Sequence, residues 1–333
     1  MKWFSLLFLL AGFSAQSQVI TETFGSGANS FSIDFVQIGN PGNAPDIFPD
    51  QRQRGRVDYI YNLAKYEVSR NMINKFNASF PLQSPLPITM ADMSYFNANG
   101  PNRPATGISW NEAAKFVNWL NSSKGYQEPY KFVGSYIIEW QSGLYSGNNR
   151  YRHKDAYYFL PNFDEWYKGA YGSPSGSWYD FATGMDIDVY GKGGPTPVLS
   201  GTASGTAVYG SLDLNANPIL VPTGPADISE AGGLSPFGTM AQGGNVFEWV
   251  EIWKEGFNQY SNYQTALGGS WEVSTQDGYV AFELTSAYNG LDKARTEEGV
   301  SLGFRVAMVP EPSSLSLLGL SGVMVALGRR KRA

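Results

Sequence analysis

The chain has 333 residues, of which 38 are glycine, 15% are aromatic and 16% are charged, whereas an average soluble domain has about 25% charged residues. This composition predicts a loop-rich globular body and argues against a helical bundle or a disordered chain. The formal net charge of −5, with no basic block inside the body, argues against nucleic acid as a partner.

The residue inventory also limits the chemistry. The chain has no cysteine. This excludes thiolate catalysis, disulfide bonds, zinc fingers and iron–sulfur clusters. His153 is the single histidine, and no nucleophile-elbow pattern lies near it. A Ser–His–Asp triad is therefore not expected.

The N terminus, "MKWFSLLFLLAGFSAQSQ", has the features of an export signal. Lys2 is followed by an apolar run over residues 3–13 and by the small residues Ala15 and Ser17. This order is typical of a signal peptide with its cleavage site, and the apolar run is shorter than the roughly 20 residues of a membrane span. We predict a signal peptide over residues 1–17.

The body opens with strand patterns. In "NSFSIDFVQIGNPGNAPD", Phe31, Ile33 and Phe35 alternate with polar residues before a Gly/Asn/Pro cluster, which predicts a strand followed by a turn. Residues 57–69 form a second strand-rich stretch. Ser69 then precedes a helical stripe of apolar residues and is expected to cap a short helix.

Two longer helices carry capping boxes. In "SWNEAAKFVNWLNSSKG", Ser109 and Glu112 stand three residues apart, and in "FLPNFDEWYKGAYG" Asn162 and Glu165 repeat the spacing. After these helices the chain is rich in Gly, Ser, Thr and Pro to about residue 236, but it has too many rings and valines for a free linker. We see no internal repeat and no second domain boundary.

The segment "QGGNVFEWV", residues 242–250, places a carboxylate among valines. If the segment is extended, Val246, Glu248 and Val250 share one face. A carboxylate there needs a partner. Three candidates stay open: Arg305 in "GFRVA", backbone N–H groups, or a cation.

A loop over residues 176–191, "GSWYDFATGMDIDVYG", is the candidate ligand site. The rings of Trp178, Tyr179 and Phe181 are suited to stacking on a sugar or peptide, and the alternative is that they cover the core. Asp180, Asp186 and Asp188 would supply polar contacts. The neighbouring acids Asp164 and Glu165 are the other candidate for carboxylate chemistry, although acids at a helix start are common for dipole reasons alone.

The C terminus, "VPEPSSLSLLGLSGVMVALGRRKRA", combines a Pro-Glu-Pro turn, an apolar run over 315–327 and a basic cluster over 329–332. This order resembles the PEP-CTERM sorting signal, and we assign residues 309–333 to it. The resemblance implies a transient membrane anchor, cleavage by an exosortase-type protease and release to the cell surface or the extracellular space. Removing both terminal segments takes away five positive charges and one negative charge, so the body carries −9.

Six blocks of the body resemble the sulfatase-modifying-factor family, whose founding member is the formylglycine-generating enzyme. In order they are "YNLAKYEVSRNMINKF", "PATGISWNEAAKFVNWLN", "FLPNFDEWYKGAYG", "SPFGTMAQGGNVFEWV", "LGGSW" and "LGFRVA". The resemblance implies one domain over residues 18–308. It also implies an irregular, loop-rich α+β fold of the C-type-lectin-like, formylglycine-generating-enzyme type.

The same resemblance implies copper chemistry that this chain cannot support. The family's enzymes oxidise a cysteine of a partner sulfatase with copper held by two cysteines, whose positions fall at about Glu283 and Tyr288 here. Val117 stands where many relatives carry a further cysteine. Without a soft sulfur donor, copper is not expected.

The family's structural calcium is the remaining implied cofactor. By the family's motif, Gly244 and Val246 would provide carbonyl oxygens and Glu248 a carboxylate. Ala241 and Val208 stand where further oxygen ligands are expected, so the implied site lacks donors that calcium requires.

We therefore expect an exported, surface-sorted protein that is not a formylglycine-generating oxidase and has a binding or structural role at the cell envelope. The ligand of a binding role would be an extracellular polysaccharide or a protein. Two alternatives remain: a carbohydrate- or peptide-binding lectin-like module, and an enzyme of another class that uses carboxylates.

Overall fold

The computed structural model describes residues 19–80, 87–134, 136–213, 215–251, 263–276, 279 and 281–310. The predicted signal peptide and residues 311–333 of the sorting segment lie outside this part of the chain. Among the described residues, no helix is both long and apolar enough to cross a bilayer.

Short strands, three α-helices and three short 3-10 helices make up the regular structure of the described residues. The α-helices are α1 (Arg70–Ala78), α2 (Trp110–Ser122) and α3 (Phe163–Tyr171). The strands are β1 (Val19–Phe24), β2 (Phe31–Ile38), β3 (Asp46–Ile47), β4 (Gln53–Arg54), β5 (Tyr61–Ala64), β6 (Lys131–Val133), β7 (Tyr136–Ile138), β8 (Tyr145–Ser146), β9 (Asn149–His153), β10 (Tyr158–Phe159), β11 (Thr196–Val198), β12 (Thr206–Val208), β13 (Gly210–Leu212), β14 (Pro218–Leu220), β15 (Phe247–Trp249), β16 (Tyr263–Leu267), β17 (Ser274–Gln276), β18 (Leu291–Ala294), β19 (Leu302–Gly303) and β20 (Ala307–Met308).

The largest sheet of the described chain has five antiparallel strands in the order β1-β2-β5-β20-β10. The predicted alternation in β2 is observed, because Phe31, Ile33 and Phe35 are buried. Their side chains, with those of α1 and α2, form the main hydrophobic core. Of the strand-rich stretch 57–69, residues Tyr61–Ala64 pair as β5.

All three predicted helix caps are present. The Ser69 side chain accepts a hydrogen bond from the Met72 N–H at the start of α1. The capping boxes of Ser109 with Glu112 and of Asn162 with Glu165 are complete. Each box pairs two backbone N–H groups that the helix start leaves without partners, and so fixes where the helix begins.

A four-stranded sheet carries the segment 242–250. Its order is β18-β16-β15-β19, with β15 antiparallel to β16 and parallel to β19. Gly244, just before β15, has φ +90, and a Cβ atom there would lie 2.5 Å from the Val208 carbonyl oxygen. A side chain at this position would clash with the Val208 carbonyl, so the position requires glycine. The remaining sheets of the described residues have two or three short strands each, as an irregular α+β fold predicts.

Candidate functional site

Glu248 lies in the middle of β15 and is completely buried. Its neighbours Val246 and Val250 are buried too, so the predicted carboxylate among valines is real. Arg305 is the partner: its Nε lies 2.5 Å from Glu248 Oε2 and its Nη2 2.5 Å from Oε1. Trp166 on α3 donates from Nε1 to the same Oε2 at 2.6 Å. Of the three candidate partners for Glu248, the structure has Arg305, in a bidentate ion pair.

The guanidinium of Arg305 uses its other donors on backbone oxygens. Nη1 donates to the Ala64 carbonyl at 2.9 Å, and Nη2 donates to the Met240 carbonyl at 2.7 Å. Both charged side chains are fully buried. A buried ion pair is tolerated when the remaining polar atoms are also hydrogen-bonded. Through these bonds the pair connects β5, the loop at Met240 and β15.

A second carboxylate, Glu67, lies beside this pair. Asn245 Nδ2 donates to Glu67 Oε2 at 2.7 Å, and Asn245 Oδ1 accepts from the Ala226 N–H at 2.7 Å. Burial and then the nearby Glu248 charge raise the pKa of Glu67 well above its usual range, and Arg305 only partly offsets them. The protonated form of Glu67 is therefore favoured more than that of an exposed glutamate.

The residues proposed for calcium lie around the same strand. Gly244 and Val246 are buried, and Glu248 is held by Arg305 and Trp166. Ala241 and Val208, at the expected further ligand positions, are buried as well. No cluster of three or more His, Cys, Asp or Glu side chains suited to a metal occurs among the described residues. The geometry favours the ion pair at Glu248, and calcium stays a prediction.

The two expected cysteine positions lie close together. Glu283 belongs to a short 3-10 turn and is half-buried, and Tyr288 packs its ring against Phe247 and Phe282. Burial and then the Glu283 charge raise the pKa of Tyr288. The carbonyl of Tyr288 accepts a hydrogen bond from Arg54 at 2.9 Å. Val117 is buried in the core face of α2. Glu283 and Tyr288 offer oxygen atoms and Val117 offers no donor atom, whereas copper(I) prefers sulfur ligands.

The aromatic loop is packed against the body. Phe181 is 2% exposed and belongs to a small core cluster, whereas Trp178 and Tyr179 are half-buried. The Trp178 ring lies 5.6 Å from that of Tyr167 on α3. Phe181 in this conformation has no face left for stacking on a ligand. The arrangement favours the alternative that these rings cover the core, and their ligand role stays a prediction.

The acids of that loop organise its own backbone. Asp180 accepts from the Ile187 N–H, Asp186 accepts from the Asp180 N–H, and Asp188 accepts from the N–H groups of Tyr190 and Lys192. These are the turn-forming contacts that aspartate side chains commonly make.

The acid pair at the start of α3 is also engaged. Asp164 accepts from the Gly55 N–H at 2.7 Å, and burial raises its pKa. Glu165 closes the capping box and contacts Arg152, whose Nη1 lies 3.1 Å from Glu165 Oε1. Both acids therefore have structural partners in this conformation, and the alternative of an enzyme that uses carboxylates stays a prediction.

Arg152 is shared with a second buried acid, Glu251, through Nε at 3.1 Å from Oε2. Tyr130 donates to Glu251 Oε1 at 2.5 Å and Asn149 donates to Oε2 at 2.6 Å. Burial raises the pKa of Glu251 to about 7, with Arg152 lowering it and Glu165 raising it. No pattern in the sequence marks Arg152, Glu251 or Glu67, because their partners lie far away along the chain.

One surface groove combines rings with polar groups. It has a volume of about 500 Å³ and lies between α2 and the β6–β7 hairpin, within the usual size range of ligand pockets. Its wall includes Tyr126, Phe132 and Trp140, together with the polar side chains of Asn118 and Glu128. No motif marks this groove in the sequence, because the positions of its rings follow no pattern along the chain.

Comparisons with known proteins agree with this geometry. The model of the sulfatase-modifying factor enzyme 1-like domain matches residues 52–309, and the model of the PEP-CTERM protein-sorting motif matches residues 309–332. No curated protein matches the chain.

Solved structures share the fold at low identity. Variable protein 1 of Treponema denticola superimposes with a TM-score of 0.54 at 17% identity, over 87% of this chain and 99% of that one. CarF has a TM-score of 0.49 at 16% identity over 84% and 99%, and PvdO from Pseudomonas aeruginosa has 0.49 at 15% over 87% and 98%.

The family model covers most of the chain, and the structure has the irregular α+β, C-type-lectin-like fold that the family implies. The chain therefore belongs to the sulfatase-modifying-factor family, related to the formylglycine-generating enzyme, and carries a PEP-CTERM sorting motif.

Proposed function

We propose that the body is a non-catalytic member of its family, which retains the fold and has a binding or structural role at the cell envelope. The observation that carries this proposal is the complete lack of cysteine in 333 residues. Copper(I) requires soft sulfur ligands, and the family's cysteine oxidation depends on such a pair. Glu283 and Tyr288, at the corresponding positions, do not replace this pair of cysteines.

The network around Glu248 supports a structural role for the family's motif at residues 244–249 in this chain. Arg305 and Trp166 engage the carboxylate completely, so the block stabilises the body whether or not any chemistry follows. The PEP-CTERM motif supports the localisation: export, transient anchoring at the C terminus and processing by an exosortase-type protease. The cell surface or the extracellular space is the proposed destination.

The test is an oxidation assay on the purified full chain. A cysteine-containing peptide is incubated with the protein and copper, and mass spectrometry follows conversion of the thiol to an aldehyde, with a catalytic family member as the positive control. We expect no aldehyde and no stoichiometric copper(I) retained by the protein. Turnover of the peptide, or tight copper binding, would refute the proposal.

A ligand-binding role is the second candidate, and the ring-lined groove of about 500 Å³ favours it. Rings beside amide and carboxylate groups suit a neutral sugar, which offers apolar C–H faces and hydroxyl edges. A glycan array is the test, with Trp140→Ala as the groove variant and Trp178→Ala as the loop variant. Loss of signal in one variant would assign the site, and a blank array would remove this candidate.

A further inference from the structure

The groove between α2 and the β6–β7 hairpin has walls that are fixed to each other. Asn118 on α2 holds both backbone groups of Tyr130, which directly precedes β6: Nδ2 donates to the carbonyl at 2.7 Å and Oδ1 accepts from the N–H at 3.0 Å. Asn118 is buried, so water competes little for these two bonds. A ligand therefore finds the groove already formed and does not have to order its walls on binding.

Trp140, just after β7, is a rigid part of the hairpin wall. Its Nε1 donates to the Pro129 carbonyl at 2.8 Å, and its backbone N–H donates to the Arg150 carbonyl at 2.9 Å. The indole also lies 4.6 Å from the ring of His153, whose pKa is lowered by burial. These contacts hold the indole in one orientation. The face of an aromatic ring is partly negative, so it attracts the weakly positive C–H groups of a sugar.

Among the described residues that line the groove, Glu128 and Lys131 are the charged ones. Glu128 Oε2 accepts from Asn118 Nδ2 at 3.3 Å. Burial raises the pKa of Glu128, and a hydrogen bond from Ser122 partly offsets this effect. A carboxylate has about four acceptor positions, so Glu128 has capacity for further hydrogen bonds from a ligand. The Lys131 ammonium lies 5.8 Å from the centre of the Trp140 ring.

The position of these two charges favours a neutral ligand. A cation stacked on Trp140 would meet the Lys131 ammonium at the same ring, and an anion would meet the Glu128 carboxylate. A neutral ligand with many hydroxyl groups avoids both repulsions, because it can donate to Glu128 and accept from Lys131. The volume of about 500 Å³ exceeds that of one sugar ring. Tyr126, stacked on Tyr157 at 4.7 Å, adds a second ring to the wall.

We propose that the groove binds a neutral oligosaccharide, with Trp140 stacked on a sugar ring and Glu128 accepting hydrogen bonds from its hydroxyl groups. The inference rests on the ligand-binding role proposed above and adds the residue that determines specificity. Hydrogen bonds to a charged acceptor are stronger than neutral ones, and a carboxylate in the groove also rejects acidic sugars. Asn118 is a positioning residue, because it holds Glu128 and the start of β6.

The test is isothermal titration calorimetry on the purified full chain, in a detergent without sugar headgroups. The neutral ligands are cellotriose, maltotriose and mannotriose, and the charged ones are trigalacturonic acid and fully deacetylated chitotriose. We expect at least one neutral trisaccharide to bind about tenfold more tightly than either charged one.

Glu128→Gln is the groove variant, and Glu139→Gln is its matched control. Both substitutions remove one carboxylate from the same region of the chain, but Glu139 lies outside the groove wall and pairs with the exposed Arg150 at 3.6 Å. Glu128→Gln should weaken binding of the neutral trisaccharide about tenfold, whereas Glu139→Gln should leave it unchanged. Thermal melting verifies that both variants are folded.

The outcomes separate this inference from the proposed function. Binding of a neutral trisaccharide that only Glu128→Gln weakens supports the assignment. Binding that Glu128→Gln does not alter, an equal loss in both variants, or equal binding of a charged trisaccharide overturns this inference and leaves the ligand-binding role in place. If none of the trisaccharides binds, the inference is overturned, and a blank glycan array would then remove the ligand-binding role as well. The oxidation assay tests the non-catalytic proposal independently of these results.

Discussion

Two buried centres of this protein each combine one arginine with two glutamates, and they share the positive charge differently. At the first centre Arg305 binds both oxygens of Glu248, which leaves Glu67 with a hydrogen bond from Asn245 and a raised pKa. At the second centre Arg152 contacts both Glu165 and Glu251.

The two centres differ in how many acids the arginine contacts, and this difference affects the pKa of the second acid at each centre. An arginine committed to one acid leaves the second acid, Glu67, with a pKa raised by burial and by the Glu248 charge. At the second centre burial raises the pKa of Glu251 and the shared Arg152 partly offsets it, which gives a value of about 7. Both centres therefore couple protonation to folding, and the second titrates near neutrality.

Loss of Arg305 should have the largest effect. Arg305→Met leaves Glu248 charged, buried and without a cation, which should lower the free energy of unfolding by about 3–5 kcal/mol. Urea denaturation measures it. Arg56→Met is the control, because the Arg56–Asp58 pair is exposed and should contribute no more than about 1 kcal/mol. Equal effects of the two substitutions would show that the buried pair contributes no more than an exposed one.

Loss of Arg152 should cost somewhat less and depend on pH. Arg152→Met is expected to destabilise the protein by about 3 kcal/mol at neutral pH. Below pH 6 the loss should shrink, because Glu251 can take up a proton in place of the missing cation. Urea unfolding across this pH range is the measurement, and a loss that does not change with pH would contradict the shared-charge description.

Glu251 should make the stability of the wild-type protein pH-dependent. Its folded pKa of about 7 lies above its ordinary value of 4.5, so between these values the folded state holds a proton that the unfolded state has released. The resulting contribution is fully present below about pH 4.5 and is lost as pH rises through 7, on the order of 3 kcal/mol in total. Glu251→Gln should flatten this part of the stability curve. An unchanged slope would mean that Glu251 does not titrate there.

Glu67→Gln should have the smallest effect at acidic pH. The amide keeps an acceptor for Asn245, so we expect a change of about 1 kcal/mol or less there. Because the pKa of Glu67 is raised above its ordinary value of 4.5, the folded state holds a proton that the unfolded state releases as pH rises, and the substitution should also flatten the stability curve above that value. Melting curves across this pH range, beside those of Glu251→Gln, are the measurement. A pH dependence identical to that of the wild-type protein would show that Glu67 is not protonated in the folded state.

The local part of this structure was predictable from the sequence. The caps of all three helices depend on residues three positions apart, and the alternation of β2 is visible within eight residues. The burial of Glu248 followed from its neighbours in the same strand. The sequence left three candidate partners for Glu248, because alternation shows which residues share a face of the strand but not what packs against that face.

The second centre was beyond sequence reasoning. Glu165, Arg152 and Glu251 come from α3, β9 and the end of β15, with partners at Tyr59 and Tyr130. No spacing rule connects positions so far apart along the chain. The aromatic loop illustrates the converse problem: a ring-rich segment has the same composition whether its rings face a ligand or, as Phe181 does, the core.

The position of β20 determines how the body resists being pulled from its anchor. β20 lies between β5 and β10, and Val309 adds one more hydrogen bond to Tyr157. A force applied through the C terminus acts along β20, at right angles to the hydrogen bonds on both of its sides. Those bonds are loaded together in shear instead of opening one after another. Although β20 has only two residues, its place between β5 and β10 lets both neighbouring strands share the load.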